Sequence, residues 1–252
     1  MEEIVKIVIP SHGRADRVLT KDAVSNVSLC VEESQEAEYK EHNPNIEIIT
    51  HPDSIVGLTL KKRWMMDYFD GGDIFTIDDD IKSMKRFYAE PGESSKITPD
   101  LAYDIIQSTA ATAYNMGAFL FGFSKSQRPV DYVAQKPFTL NEVVIGGWGG
   151  ILKGSKLYYP EDPRGILGQD FFVSGLNAFY HRYCFIDNRF GFITKDNFKN
   201  PGGCANYRTV ELEKDCTLWL REQFGDAIQI KKVTVGHMNL SHPYERSLFI
   251  PY

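Results

Sequence analysis

Three consecutive aspartates, Asp78, Asp79 and Asp80, are the residues of this chain whose types and spacing most favour chemistry. They follow the apolar run 74–77, which is typical of a strand buried in a parallel sheet. Alternate residues of an extended segment point to the same side, so Asp78 and Asp80 are expected to converge. Converging carboxylates repel each other unless a cation lies between them, and Mg²⁺ or Mn²⁺ binds such oxygens while leaving room for a diphosphate. The run predicts a divalent-metal site, with a solvated turn or a helix N-cap cluster as the alternative.

A second polar group, the turn Pro10-Ser11-His12-Gly13-Arg14, follows the apolar run Ile4 to Ile9. Open α/β sheets bind ligands beyond the carboxyl ends of their strands, so this turn is expected at the same edge as the aspartates. Arg14 and Arg17 are candidates to bind phosphate, because a guanidinium offers paired donors; otherwise they close the turn at the surface. The sequence has no Walker loop and no Gly-x-Gly-x-x-Gly before a helix, which argues against ATPases and dinucleotide-dependent enzymes.

The elements that must position these groups alternate between strand and helix. Besides the two apolar runs above, the short β-branched runs 28–31 and 46–50 predict strands. Apolar positions at helical spacing predict a helix over 58–69. The rhythm of strand, helix and strand favours a βαβ-type sheet.

The next helix has recognisable ends in the sequence. Thr98 and Pro99 predict its N-cap and first helical position, and Gly117 predicts its end. Its buried face is expected to carry Leu101, Ile105, Ala113 and Met116.

The second half of the chain is more mixed, and it contains no repeat or obvious linker. The expected strands are 118–123, 143–145 and 228–235, and the expected helices begin near 168 and span 211–224. The helix from 168 is expected to direct Phe172, Leu176 and Phe179 inward. We therefore expect one domain over residues 1–252.

Composition narrows the class of protein. The chain has 252 residues, of which 28 are Lys or Arg and 34 are Asp or Glu, so its net charge is −6. This is ordinary globular composition, which excludes disordered, collagen-like and coiled-coil proteins. A polycation that coats nucleic acid is also excluded, whereas a local phosphate-binding groove is not. The four cysteines lack Cys-x-x-Cys spacing, which favours an intracellular, cytoplasmic protein. No run approaches the roughly 20 apolar residues of a membrane span, so no membrane partner is expected.

Four motifs in order resemble those of GT-A glycosyltransferases, especially the large family 2. Pro10 to Arg14 resembles their Pro-Ser/Thr-x-Asn-Arg opening, and Val31-Glu32-Glu33-Ser34 is similar to their Val-Asp-Asp-Gly-Ser, whose acid contacts the nucleotide base. Gly57 with Lys61-Lys62-Arg63 resembles their Gly-x-x-x-Ala-Arg-Asn segment, and Asp78 to Asp80 stand at their Asp-x-Asp metal motif. The chain departs from the family pattern at His12-Gly13 and in having Glu at 32 and 33.

This resemblance implies an α/β fold, a single GT-A (Rossmann-like) domain with a mixed, mostly parallel sheet flanked by helices. About 1–120 would bind the nucleotide sugar, a UDP-sugar, and about 121–252 the acceptor. The cofactor implied is Mn²⁺ or Mg²⁺. Its implied ligands are Asp78, Asp80 and His237, a histidine near the end of the chain; His12 is the alternative to His237. The donor site implied comprises Pro10, Ser11, His12, Arg14, Glu32, Lys62 or Arg63, Asp78 and Asp79.

On the acceptor side the resemblance is thinner. Gly147 and Trp148 fall where GT-A enzymes place an acceptor-side strand, and Trp148 is either a stacking platform or a core residue packed by glycines. Gly168-Gln169-Asp170 resembles the Glu-Asp element whose aspartate is the catalytic base of inverting members. A helix N-terminus would favour the ionised carboxylate that a base needs; the alternative is an ordinary first-turn acid.

The short chain, the opening motif and the aspartate run most resemble the compact phage and TET/JBP-associated glycosyltransferases. That resemblance implies an acceptor in DNA, the hydroxymethyl group of a modified pyrimidine, in the host cytoplasm if the protein is phage-encoded. Glycan, protein and small-molecule acceptors remain alternatives, as do a HAD-type phosphatase and a non-catalytic binding module. The candidates to hold DNA phosphates are Lys82, Lys85, Arg86, Lys125 and Arg128, and the alternative for each is a solvated surface residue.

Overall fold

The computed structural model describes residues 3–89, 93–194, 208–230, 244 and 246–249. These residues form an α/β domain in which one large mixed sheet is flanked by helices, as the sequence predicted. The helices are α1 (Glu36–His42), α2 (Leu58–Tyr68), α3 (Pro99–Met116), α4 (Gln169–His181) and α5 (Val210–Phe224). The strands are β1 (Lys6–Pro10), β2 (Val27–Glu32), β3 (Glu47–His51), β4 (Ile74–Ile77), β5 (Ile81–Arg86), β6 (Leu120–Ser124), β7 (Phe138–Thr139), β8 (Trp148–Ile151), β9 (Phe185–Thr194), β10 (Ile228–Ile230) and β11 (Arg246–Leu248).

The first four strands form a parallel block in the order β3-β2-β1-β4. Every residue of β2 and β4 is buried, which explains why their sequences are almost continuously apolar. The chain moves from β1 to β2 and β3 on one side and then places β4 on the other side of β1. Such a reversal opens a crevice beyond the carboxyl ends of the two central strands, and ligands of open α/β sheets bind there.

Beyond β4 the sheet continues as β8-β6-β9-β5, with β7 also paired to β9. Strand β8 runs antiparallel to both β4 and β6. Its glycines allow the sheet to pack closely, since a Cβ added at Gly150 would come 2.1 Å from Cε1 of Phe121. The strand predicted at 143–145 is wrong: the strand begins at Trp148, and the Val144 amide donates to Ser174 Oγ at 3.1 Å instead of joining a ladder.

Helix α3 has the predicted ends but only part of the predicted buried face. Thr98 Oγ1 accepts a hydrogen bond from the Leu101 amide, and Gly117 adopts φ +74°, a left-handed conformation that favours glycine. Ala113 is buried as predicted and Ile105 is half-buried against the core, whereas Leu101 and Met116 are 48% and 41% exposed. The other buried residues of the helix are Ala102, Ile106, Gln107, Thr109 and Ala110.

Helix α4 begins at the predicted residue and packs against one face of the sheet. Phe172 and Leu176 are buried as predicted, but Phe179 is 71% exposed. The apolar stripe therefore ends one turn before the helix does. Among the helices of the described residues, none is long and apolar enough to cross a membrane.

Candidate functional site

The acidic run lies in the crevice between β1 and β4, and backbone bonds hold it there. The Asp78 amide donates to the Gly147 carbonyl at 2.9 Å, while its own carbonyl accepts from Thr20 Oγ1 at 2.5 Å. The Asp79 carbonyl accepts from the Leu19 amide at 2.9 Å. The three aspartates are thus fixed from two sides, by the segment that follows β1 and by the turn that precedes β8.

Asp79 points into the protein and joins the acidic run to the turn after β1. Ser11 Oγ donates to Asp79 Oδ2 at 2.6 Å, and Arg14 Nη1 pairs with Oδ1 at 2.6 Å. Tyr39 of α1 completes the group, with its hydroxyl 2.7 Å from Ser11 Oγ and accepting from the Arg14 amide at 3.1 Å. Both oxygens of the buried Asp79 carboxylate are therefore hydrogen-bonded within the chain. The predicted contacts of Asp79 and Ser11 with a nucleotide sugar stay predictions.

Asp78 and Asp80 flank Asp79 and are partly exposed. Burial raises the pKa of Asp78 to about 6; the Lys62 ammonium acts in the opposite direction, and the charges of Asp80 and Asp79 raise it further. Burial and the charge of Asp79 also raise the pKa of Asp80, against the opposing effect of Arg14. The predicted repulsion between these neighbouring carboxylates is therefore present.

The donor atoms offered by Asp78 and Asp80 are carboxylate oxygens, the ligands that Mg²⁺ and Mn²⁺ prefer. Over the residues that the structure describes, no group of three or more His, Cys, Asp or Glu side chains could hold a metal ion. Two carboxylates fit a hard divalent ion that keeps water or phosphate oxygens as its other ligands. His237, predicted as a further ligand, lies outside the described residues.

Glu32 is the last residue of β2 and lies beside the buried Lys61, for which the sequence predicted no role. Lys61 Nζ lies 3.0 Å from Glu32 Oε1 and donates to the Ser11 carbonyl at 2.6 Å. Burial alone would raise the pKa of Glu32, but Lys61 and the hydrogen bond from His12 hold it below its usual value. His12 Nδ1 is 3.1 Å from Glu32 Oε2, while the rest of the imidazole is largely exposed. Glu32 and His12 thus meet at the edge where Pro10 ends β1.

Two adjacent cations of α2, Lys62 and Arg63, were alternatives for the phosphate contact. Lys62 is buried, donates to the Gly146 carbonyl and acts electrostatically on Asp78. Arg63 turns away from the crevice, with Nη1 on the Tyr159 carbonyl at 3.1 Å and Nη2 3.0 Å from a Glu161 oxygen. The helix therefore brings Lys62, and not Arg63, to the aspartates.

A cleft with a cavity volume of about 220 Å³ is lined by residues from both halves of the chain. Asp78 and Asp170 both line this cleft, although they are 92 positions apart in the sequence. The remaining lining residues are Leu58, Ile145, Gly146, Gly147, Ile166, Leu167, Gln169 and Arg208. Gln169, which is 8% exposed, leaves Oε1 without a hydrogen-bond partner among the described residues, and nothing in its sequence context indicated this.

Asp170 stands in the first turn of α4. Burial raises the pKa of its carboxyl, while the Phe171 amide, which donates to Oδ1 at 2.9 Å, and the charges of Arg246 and Lys62 act in the opposite direction. The predicted stabilisation of the charged form by the helix start is therefore present but outweighed by burial. A carboxyl whose pKa lies closer to neutrality is better suited to accept a proton than an ordinary aspartate.

Trp148, with two interpretations from the sequence, lies in the core. It is 5% exposed, its indole N–H donates to the Ser124 carbonyl at 3.2 Å, and its ring centroid is 5.7 Å from that of Phe192. It therefore presents no face on which a base or sugar could stack. Its neighbour Gly147 lines the cleft, so only the glycine of this predicted acceptor pair is at the surface of the site.

Comparison with known proteins gives one family. The model described as TAGT, TET-Associated Glycosyltransferase, matches residues 5–147, more than half of the chain. The matched segment begins just before β1 and ends at Gly147, so it contains the aspartate run but not Asp170. A search of curated proteins found no match.

Proposed function

From the premise that this chain belongs to the TET-associated glycosyltransferase family, we propose that it moves a sugar from a UDP-sugar to the 5-hydroxymethyl group of a modified pyrimidine in DNA. Family membership makes the chain a glycosyltransferase, an enzyme that uses a nucleotide-sugar donor. The donor nucleotide, the metal, the acceptor and the role of each residue are parts of the proposal.

The observation that carries the proposal is that Asp78 and Asp170 line the same cleft. Transfer of a sugar between two oxygens needs charge stabilisation at the leaving diphosphate and a proton acceptor at the attacking hydroxyl. Asp78, with Asp80 two residues further along the chain, would provide oxygen ligands, and Asp170 would provide a carboxylate with a raised pKa. Both requirements can therefore be met in one cleft.

We assign donor binding to the edge formed by β1, β2 and α2. Glu32, kept ionised by Lys61, would accept hydrogen bonds from the nucleobase, with His12 beside it. Lys62, buried next to Asp78, would neutralise phosphate charge. Arg14 would act through Asp79, by holding the acidic run in place, and this is a positioning role.

Asp78 and Asp80 would hold Mn²⁺ or Mg²⁺, which when bound would stabilise negative charge on the departing diphosphate. His237 remains a proposed third ligand.

Asp170 would take the proton of the acceptor. The hydroxymethyl oxygen forms a bond to the anomeric carbon of the sugar as the bond from that carbon to the diphosphate oxygen breaks. The hydroxyl proton passes to a carboxylate oxygen of Asp170, and UDP departs with the bonding electron pair. A single displacement of this kind inverts the anomeric configuration. To reach Asp170, the modified base must leave the stack of the duplex.

A phosphatase of the HAD type is less well supported. That class carries its aspartate motif on the first strand of its sheet, whereas here three strands precede β4 and its aspartates. A non-catalytic module is also less well supported, because a binding protein needs no carboxylate such as Asp170 in the cleft.

The test is the release of UDP from UDP-glucose in the presence of Mn²⁺, with and without DNA that contains hydroxymethylcytosine. We expect DNA-dependent release by the wild-type chain and loss of release in Asp80→Ala. The matched control is Asp215→Asn, which removes an exposed acid of α5 and should leave the rate unchanged.

The other outcomes separate the parts of the proposal. Metal-dependent release that is indifferent to DNA would retain the transferase and contradict the DNA acceptor. If a panel of nucleotide sugars shows no release with any acceptor, the assigned catalytic groups are wrong. Release of UDP by Asp80→Ala at the wild-type rate would contradict the proposed metal site and leave the other parts of the proposal standing.

A further inference from the structure

Two lysines face each other across a pair of strands directly after the acidic run. Lys85 of β5 forms an isolated antiparallel bridge with Lys96, and the neighbouring bonds run from the Arg86 amide to Ser95 O at 2.9 Å and from the Ile97 amide to Met84 O at 3.1 Å. Side chains of directly opposed residues lie on the same face, roughly 5 Å apart at Cβ. Like charges in this position destabilise the pairing.

No acid compensates this pair among the described residues. Lys82, Lys85, Arg86 and Lys96 form no ion pair with a described carboxylate, although Lys82 and Lys96 are exposed and Lys85 and Arg86 are partly so. We call these four residues the β5 basic strip, a stretch of chain in which Lys85 and Lys96 share a face and the neighbouring Arg86 points to the opposite one. Residues 81–97 carry four cations and two acids, in a chain whose acids outnumber its bases by six. The strip is therefore a local exception to the charge of the whole chain.

The other cations proposed for DNA binding differ from the strip. Lys125 Nζ pairs with a Glu142 oxygen at 2.7 Å, and Arg128 lies 3.6 Å from an Asp131 oxygen. Their charges are already balanced by neighbours, so they add less to the attraction of an anion. The β5 basic strip has no such balance, and its opposed lysines would be relieved by an anion that bridges them.

The strip also lies within reach of the proposed reaction. Lys85 follows Asp80 by five positions, which is about 17 Å of extended chain. This equals about five base steps of duplex DNA at 3.4 Å each. A DNA strand that lay along this stretch would therefore extend to the acidic run.

An exposed aromatic ring adjoins the strip. Tyr88 is 49% exposed and packs edge-on against Phe190, with ring centroids 5.8 Å apart. Within 81–89 and 93–97 it is the one large hydrophobic side chain that is exposed, so this surface offers one ring and four cations but no apolar face for a lipid bilayer. Cations that track a backbone beside a ring on which a base stacks are typical of nucleic-acid binding.

We infer that the β5 basic strip is a binding surface for the sugar-phosphate backbone of the acceptor nucleic acid, and that Lys85 and Lys96 together engage its phosphates. The inference rests on the proposed function, because it gives that DNA acceptor a place on the protein. It requires binding that is independent of base sequence and sensitive to salt.

The test measures binding of a labelled DNA oligonucleotide by fluorescence anisotropy between about 50 and 200 mM salt. Each phosphate contact with a B-form duplex contributes about 0.9 to the slope of log affinity against log salt. Lys85→Gln with Lys96→Gln should therefore reduce the slope by about 1.8 for a duplex oligonucleotide and weaken binding roughly 60-fold near 0.1 M salt. The matched control is Lys40→Gln with Lys214→Gln, which makes the same change of charge at exposed positions of α1 and α5.

Hydrolysis of the nucleotide sugar by water is measured in parallel and should be unchanged in the double variant. An unaltered salt slope in Lys85→Gln/Lys96→Gln would overturn the inference while leaving the DNA acceptor intact. If the wild-type chain hydrolyses the donor but binds no DNA, both the strip and the DNA acceptor are wrong and the transferase chemistry survives. Stronger binding to vesicles of anionic lipid than to DNA would also overturn the inference.

Discussion

The carboxylate of Asp78 lies directly against Gly147. A Cβ built at this glycine would stand 2.9 Å from Asp78 Oδ2, which is closer than a real Cβ approaches such an atom. The contact joins the turn after β4 to the turn before β8, and the hydrogen bond from the Asp78 amide to the Gly147 carbonyl reinforces it. Gly147 therefore sets where the proposed metal-binding oxygen can lie.

Gly147→Ala should lower activity with little effect on folding. The side chain of Asp78 can rotate away from an added methyl group, so the free energy of unfolding should change by less than about 1 kcal/mol. The displaced carboxylate should lower kcat/KM by about 100-fold, the effect of a misplacement near 1 Å. Urea denaturation and steady-state kinetics measure the two quantities. Gly13→Ala, at an open position with φ +62°, should instead affect stability through backbone strain.

Asp79→Asn should destabilise the fold. Asp79 accepts from Ser11 and pairs with Arg14 in a buried position, and removal of one partner of a buried ion pair costs about 3–5 kcal/mol. The change should lower the midpoint of urea unfolding. Asp16→Asn, an exposed acid paired with Arg17 at the surface, is the control and should cost less than about 1 kcal/mol. Equal midpoints for the two variants would contradict the anchoring role of Asp79.

Asp170→Asn tests the proposed base. The amide keeps the size of the side chain but cannot accept a proton, so kcat should fall by about 10²- to 10⁴-fold. Donor binding, followed by calorimetry with UDP, should change little because Asp170 is not among the proposed donor contacts. A retained kcat, or a product of retained anomeric configuration, would remove Asp170 from this role.

Activity should rise with pH through an inflection above the ordinary carboxyl pKa of 3.8, because burial raises the pKa of Asp170 and the base must be ionised. The stability contribution has the opposite sign: a buried acid with a raised pKa binds more protons folded than unfolded, so it loses stability as pH rises from 3.8 through its folded pKa. The pH profile of kcat/KM measures the first effect. An unchanged acid limb for the residual activity of Asp170→Asn would assign the inflection to another group.

The parallel half of the fold was predictable because each of its strands contains a short run of apolar or β-branched residues. The ends of α3 were likewise predictable from Thr98, Pro99 and Gly117, since a cap and a left-handed glycine are local features. Strand β8 was not, because its sequence contains Gly149 and Gly150, which have poor strand propensity and are required by the ring of Phe121 on the neighbouring strand. That requirement exists only in three dimensions.

The candidate site was predictable only where its residues stand out locally in the sequence. The aspartates and Asp170 were found because unusual residue types stand at the ends of recognisable elements. The engagement of Asp79 by Ser11 and Arg14, and the pairing of Lys61 with Glu32, depend on which strand lies beside which. Alternation separates Asp79 from Asp78 and Asp80, but which of the two sets points inward is not known until the neighbours of β4 are known.

The insertion of β8 between β4 and β6 bears on how the molecule is made and how it can evolve. The parallel block keeps an open edge at β4 until residues 148–151 have left the ribosome, and an open edge is a template for intermolecular pairing. A fragment that stops at residue 120 should therefore aggregate. The parallel block thus cannot be recombined freely with other second halves, since each new partner must bring a strand that fits against β4. Exchange of whole loops at the carboxyl edge leaves the sheet intact and avoids this constraint.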